Sequence, residues 1–419
     1  MMQNREVRIA LLSFSLCCAT LADAQAPAEL IAKIRAHMKE TIEGVPNYTC
    51  QQLVERYRAE AGKKLTRSDA LRLDVAVVEK HELFAWPGEG NFRDINEHEA
   101  AKRGTFGTGN FSSNLSNALS SVGVNYQVQA EEMLDGRNTI RVSYQIPARR
   151  KPYAVKIDQQ QAVTGVKGQF WVDRVNLDVL KLDFIVTEIP EGFPLKEAGE
   201  SIEYERIRIG TGDFLLPKKA SLSLKMDDDL VKVNRTTFSA CRQYSGDSVI
   251  RFEGLVDEAE AAKGPAEVKI PPGTLITIEL RTSVDSGKSA IGDPVEAVVY
   301  RAVKVKGEVI LPKGAIVEGR VTKTQRVDTS QQGYFSMIGL EFQKATIGSK
   351  FAHISTGIED GGALATAMLP GLRNSSRTLK MYVYHERIAK GEKERPTMIY
   401  SSSGKVELGK GSLLVLRVY

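Results

Sequence analysis

The sequence predicts a mainly β protein with one N-terminal helix, its antiparallel strands divided between two β-rich units. Three observations predict it. Strand-length apolar runs follow one another from Tyr48 almost to the last residue without a strand–helix–strand rhythm. Several of them, Thr139–Tyr144 and Ala220–Met226 most clearly, alternate apolar and polar residues, the period of a strand with one dry and one wet face. The same punctuation also occurs three times near the C-terminal end: IPPGT at Ile270–Thr274, LPKGA at Leu311–Ala315 and LGKGS at Leu408–Ser412. Each feeds an apolar run, and the glycine suits the left-handed position of a tight hairpin.

Residues 1–24 read as an export signal. Arg5 and Arg8 precede the apolar stretch Ile9–Leu21, and Ala22-Asp23-Ala24 forms a small-residue cleavage site. The stretch is too short to cross a bilayer, and nothing else approaches that length. Leu16 before Cys17 does not fit the small residue that precedes a lipid-bearing cysteine. The expected location is the periplasm or the exterior, with no transmembrane span.

A helix is expected from Pro27 to Gly44, with Leu30, Ile31, Ile34, Met38 and Ile42 on one stripe and Pro46 beyond its end. Strands then fill the stretch to Tyr244, interrupted by one helical segment within NFSSNLSNALSSV (110–122). The Ala-, Glu- and Gly-rich residues 254–268 read as a linker, so the expected units are 25–253 and 269–419. Removing the signal leaves Cys50 and Cys241, and two cysteines in an oxidising compartment read as one disulfide. Closing so long a loop stabilises by roughly 5 kcal/mol in the chain-entropy treatment.

A formal net charge of +5 is spread thinly, and the densest basic run, Arg149–Lys151, reads as a solvated turn. Nucleic acid is therefore not an expected partner. Chemistry is sparse too. His37, His81, His98, His353 and His385 are scattered, and HEAAK at His98–Lys102 has lysine where a second zinc-binding histidine belongs. VDSG at Val284–Gly287 and VDTS at Val327–Ser330 place Asp285 and Asp328 in polar contexts that suit turns better than a protease dyad. GTFGTG at Gly104–Gly109 lacks the Lys-Ser/Thr pair of a phosphate loop and reads as a mobile loop. No nucleophile elbow, metal site or cofactor motif emerges, and no enzymatic activity is expected.

Two stretches resemble known families. GQFWVDRVNLDVLKLDF (168–184), FLLPKKASLSL (214–224) and TTFSACRQY (236–244) are similar to the exported LolA/LolB-like domains of lipoprotein carriers. That resemblance spans about 29–252 and implies a curved, incomplete antiparallel half-barrel around a helix. IPPGTLITIELRTSVDSGKSAIGDPVEAVVYRAV (270–303), VILPKGAIVEGRV (309–321) and LEFQKATI (340–347) resemble the C-terminal barrel of TrbI-like secretion scaffolds, which implies a second small β-barrel or sandwich. The N-terminal transmembrane helix and long helical antenna of that family have no counterpart.

The resemblances imply an envelope protein that binds a lipid or lipidated partner, its second unit docking to envelope proteins. Candidate lipid-binding residues are Leu30, Ile34 and Met38 on the helix and Phe170, Phe184 and Leu222 on the sheet. These residues equally suit a closed core, and a scaffold without small ligand is the alternative.

Overall fold

The computed structural model describes residues 18–95, 104–119, 124–150, 153–157, 160–244, 267–329, 333–358, 381–384, 398–401 and 404–419. Helix α1 (Cys18–Glu43) starts before the expected Pro27, because the Ala- and Leu-containing residues ahead of the proline favour helix and the ring removes only one backbone donor. It stops where expected, the Gly44 N–H donating to the Glu40 carbonyl at 2.8 Å. Ile31, Ile34 and Met38 are buried, and Leu30 and Ile42 pack half-exposed against the same core.

The first sheet has eleven strands. In chain order they are β1 (Tyr48–Ala59), β2 (Thr66–Val78), β3 (His81–Ala85), β4 (Asn125–Leu134), β5 (Arg137–Ile146) and β6 (Tyr153–Ile157). Next come β7 (Gln160–Asp173), β8 (Val179–Thr187), β9 (Leu195–Ile209), β10 (Gly212–Met226) and β11 (Val231–Gln243). The order β3-β2-β1-β11-β10-β9-β8-β7-β5-β4, with β6 on β7, leaves the sheet unclosed. It curls around α1 as a half-barrel, and the short helix α2 (Ser113–Ala118) joins the same core.

Register decides what faces inward. One inner row runs Val142, Phe170, Leu182, Ile202, Ala220, Thr236, Val54, Leu71. The next runs Tyr144, Gly168, Phe184, Glu200, Leu222, Asn234, Arg56, Asp69. Gly168 is required by closeness: a Cβ there would sit 2.2 Å from the Asp183 carbonyl oxygen. Cys50 and Cys241 form the expected disulfide, joining β1 to β11 beside a register shift between Thr49 and Gln51.

The C-terminal half forms a second β unit, a small barrel or sandwich. Its nine-stranded sheet contains β12 (Leu275–Leu280), β14 (Pro294–Val299), β17 (Ile316–Thr329), β18 (Gly333–Ile347), β19 (Lys350–His353), β20 (Thr356–Ile358), β21 (Met381–Tyr384), β22 (Met398–Ser401) and β24 (Leu413–Val418). Two ribbons, β13 (Val284–Asp285) with β23 (Glu407–Leu408) and β15 (Val303–Val305) with β16 (Glu308–Leu311), share its apolar core.

The three repeated motifs are one turn used three times. Gly273, Gly314 and Gly411 have φ of 82°, 85° and 84°, and in each the residue after glycine donates to the carbonyl three positions back. Each glycine N–H also reaches a neighbouring strand, at Val418, Val299 and Leu280. They are not hairpins. LPKGA and LGKGS carry the chain from a ribbon strand into a strand of the large sheet, so the turn makes a corner.

The expected linker lies outside the described residues up to 266, while Val268 already donates to the Phe351 carbonyl. The sandwich touches the half-barrel along β2. Leu71 bridges Ile291, Arg72 Nε donates to Asp293 at 2.6 Å, and Arg320 stacks on Trp86. Among the described residues no helix is long and apolar enough to cross a membrane.

Candidate ligand site in the half-barrel

The inner face is roofed by two pieces of chain. α1 lies over one part, its amphipathic stripe down. The segment Gly104–Leu119, which ends in α2, lies across another and adds Phe106, Phe111, Leu115 and Leu119 to the core. The expectation of a mobile loop at Gly104–Gly109 does not hold, because this stretch is fastened at several points. Glu82 accepts hydrogen bonds from the N–H groups of Gly109 and Phe111 at 2.9 and 3.1 Å. Asn114 Nδ2 donates to Glu200 at 3.2 Å, and Asn234 Nδ2 donates to the Thr105 carbonyl at 2.9 Å.

Between the two roofing pieces, at the C-terminal end of α1, is a cleft of about 190 Å³. Met38 and Ile42 of α1, Val45, Tyr48, Phe111, Leu115 and Leu215 give it apolar walls, and Glu43, Glu79 and Lys80 stand at its exposed rim. There are also two wider hollows of about 910 Å³ each. One lies over the middle strands, with Ser143, Gln169, Asp183, Phe184, Ser201 and Ser221 in its lining, and the other between the half-barrel and the sandwich, beside Trp86, Arg242 and Arg320.

The six candidate residues do not come together around one cavity. Ile34, Met38 and Phe170 have no exposed surface and Phe184 is 6% exposed, while Leu30 and Leu222 are half-buried. Only Met38 lines the cleft. Phe170 packs edge-on to Tyr126 and tilted against Tyr144, which is ordinary core packing. The inner face is therefore largely filled by its own side chains.

The polar groups inside were not anticipated. Glu200 is 5% exposed, and burial, reinforced by the charge of Glu82, pushes its carboxyl up to about 8. Burial likewise raises Glu82, against the two backbone N–H groups it accepts from. Tyr48, Tyr144, Tyr153 and Tyr204 are all pushed up, burial being the chief cause. The alternation Ala198, Glu200, Ile202, Tyr204 puts a carboxylate on the dry side of a strand, a signal available in the sequence.

Of the other motifs, Asp285 is spent on structure: Oδ1 accepts from the Gly287 N–H at 2.8 Å and Oδ2 from Lys405 at 3.0 Å, so VDSG is a turn. The Asp328 side chain and His98–Lys102 lie outside the described residues.

No protein-family model and no curated protein matches the chain. Solved structures similar to its fold include a DUF1329 family protein from Desulfovibrio piger, at 11% identity and a TM-score of 0.29, covering 53% of this chain and 93% of that one. A putative outer membrane lipoprotein-sorting protein domain from Vibrio parahaemolyticus matches at 14% identity and a TM-score of 0.27, covering 52% and 92%. A LolA superfamily protein from Nitrosomonas europaea matches at 11% identity and a TM-score of 0.24, covering 51% and 94%. They lend no support to the TrbI-like expectation for the C-terminal unit.

Proposed function

We propose that this is an exported envelope protein that takes up an acyl chain, of a lipid or of a lipidated partner, in the cleft between α1 and α2. The observation that carries this reading is what the cleft is made of. Helices and a loop wall it on two sides, so it can widen without breaking a sheet ladder. A dry apolar cavity of about 150 Å³ is enough to hold a small hydrocarbon, and each buried methylene contributes about 0.8 kcal/mol. The cleft takes the end of a chain, and displacement of Phe111 and Leu115 admits more. The disulfide supports an oxidising, extracytoplasmic location.

The well-filled inner face favours a second reading, a scaffold without small ligand whose sandwich docks to other envelope proteins. Titration with a fluorescent fatty-acyl probe separates the two. Saturable one-to-one binding that Ile42→Asp abolishes while the fold is kept supports the first, since Ile42 is half-exposed and lines the cleft. No saturable binding by the folded wild type supports the second.

A further inference from the structure

We propose that Glu82 and Glu200 form a pH-sensitive latch that holds the segment Gly104–Leu119 against the inner face of the half-barrel. This goes beyond ligand uptake and does not depend on what the cleft binds.

Both carboxyls bond to the same short piece of chain, Glu82 at Gly109 and Phe111 and Glu200 at Asn114. The segment also covers Glu200 directly, a Cβ at Gly107 falling 3.2 Å from its Oε1. Among the described residues, the groups facing Glu200 offer no countercharge. They are Glu82 of β3, Tyr144 of β5, Tyr153 of β6, Phe184 of β8, Tyr204 of β9 and Leu222 of β10, with Asn114 of α2. The cation on the same inner row, Arg56, is bonded through two nitrogens to Asp69, at 2.5 and 3.0 Å.

A neutral Glu200 carboxyl fits this setting. An ionised one needs water. Its other walls are strands held by continuous ladders, whereas the segment belongs to no ladder and is held by side-chain bonds and by the burial of Phe106, Phe111, Leu115 and Leu119, so it is the wall that can move without breaking a sheet. The Asn114 donor favours the ionised form and opposes release, but burial and Glu82 outweigh it.

The sign follows from linkage. Once the segment lifts, Glu200 returns from about 8 to its ordinary 4.5. Opening therefore grows by up to about tenfold per pH unit between those values and levels off above the upper one.

Hydrogen exchange of the full-length protein at pH 5.5 and 7.5, corrected for intrinsic rates, tests this. The expected result is a fall in protection of residues 104–119 by between about tenfold and a hundredfold, with β7–β9 unchanged. Glu200→Gln is expected to remove most of the fall, leaving only what Glu82 contributes, while Asn114→Ala lowers protection at both pH values. Equal protection at both pH values in the wild type overturns the latch, and so does a fall shared equally by β7–β9.

Discussion

His37 on α1 and Asp178 in the turn between β7 and β8 meet at 2.9 Å, and the same carboxylate accepts from Arg206 Nε and Nη2 at 2.6 and 2.8 Å. The Asp178 side chain is 1% exposed, so one buried anion ties the helix to two neighbouring parts of the sheet. Burial by itself would raise its pKa. The hydrogen bonds and charges of Arg206 and His37 more than offset that and hold it below the usual carboxylate range.

A lowered carboxylate contributes stability that is present above its unfolded pKa and is lost as the pH falls through its folded one. The wild type is therefore expected to lose stability below about pH 4, and Asp178→Asn to flatten that loss. At neutral pH the substitution is expected to cost about 2–3 kcal/mol, less than a fully buried pair because Arg206 is half-exposed. Urea unfolding at pH 3 and 7 checks both.

Glu200 gives the opposite slope. Its raised pKa contributes stability that is complete below 4.5 and declines as the pH climbs to about 8. Glu200→Gln stays neutral, so its advantage over the wild type should grow across that window, to at most about 5 kcal/mol. Urea midpoints of the two proteins at pH 5 and 8.5 measure it.

The disulfide spans 191 positions. Cys50→Ala with Cys241→Ala is expected to lower stability by about 2–5 kcal/mol, seen in denaturation without reductant. Adding reductant to the wild type should reproduce most of the loss.

The corner turns need glycine at a φ where a side chain is strained. Gly314→Ala is expected to cost about 1–2 kcal/mol by thermal melt. An equal cost for Gly273→Ala, at nearly the same φ, would establish that the two motifs are one device.

Much of this was legible in the residues. The stripe Ile31, Ile34, Met38 stated which face of α1 is buried, and the alternation in Ala220–Met226 stated which side of β10 is dry. The turn glycines were readable too, but their partners were not, because a turn motif fixes its own dihedrals and not which strands pair beyond it. Phe170 and Phe184 lie on the inner face, buried among other core side chains. Whether an inner face is empty or filled depends on what roofs it, and the roof, Gly104–Leu119, comes from a stretch whose glycines and serines look like a loop. Glu82 and Glu200 stood on the dry side of their strands, yet only the fold brings them to one segment.

Native mass spectrometry of the protein purified without detergent from its export compartment tests the central claim most directly. The account predicts one lipid-sized adduct per chain, lost in Ile42→Asp with the fold intact. A wild-type protein that shows only its own mass, even after incubation with phospholipid vesicles, would contradict it.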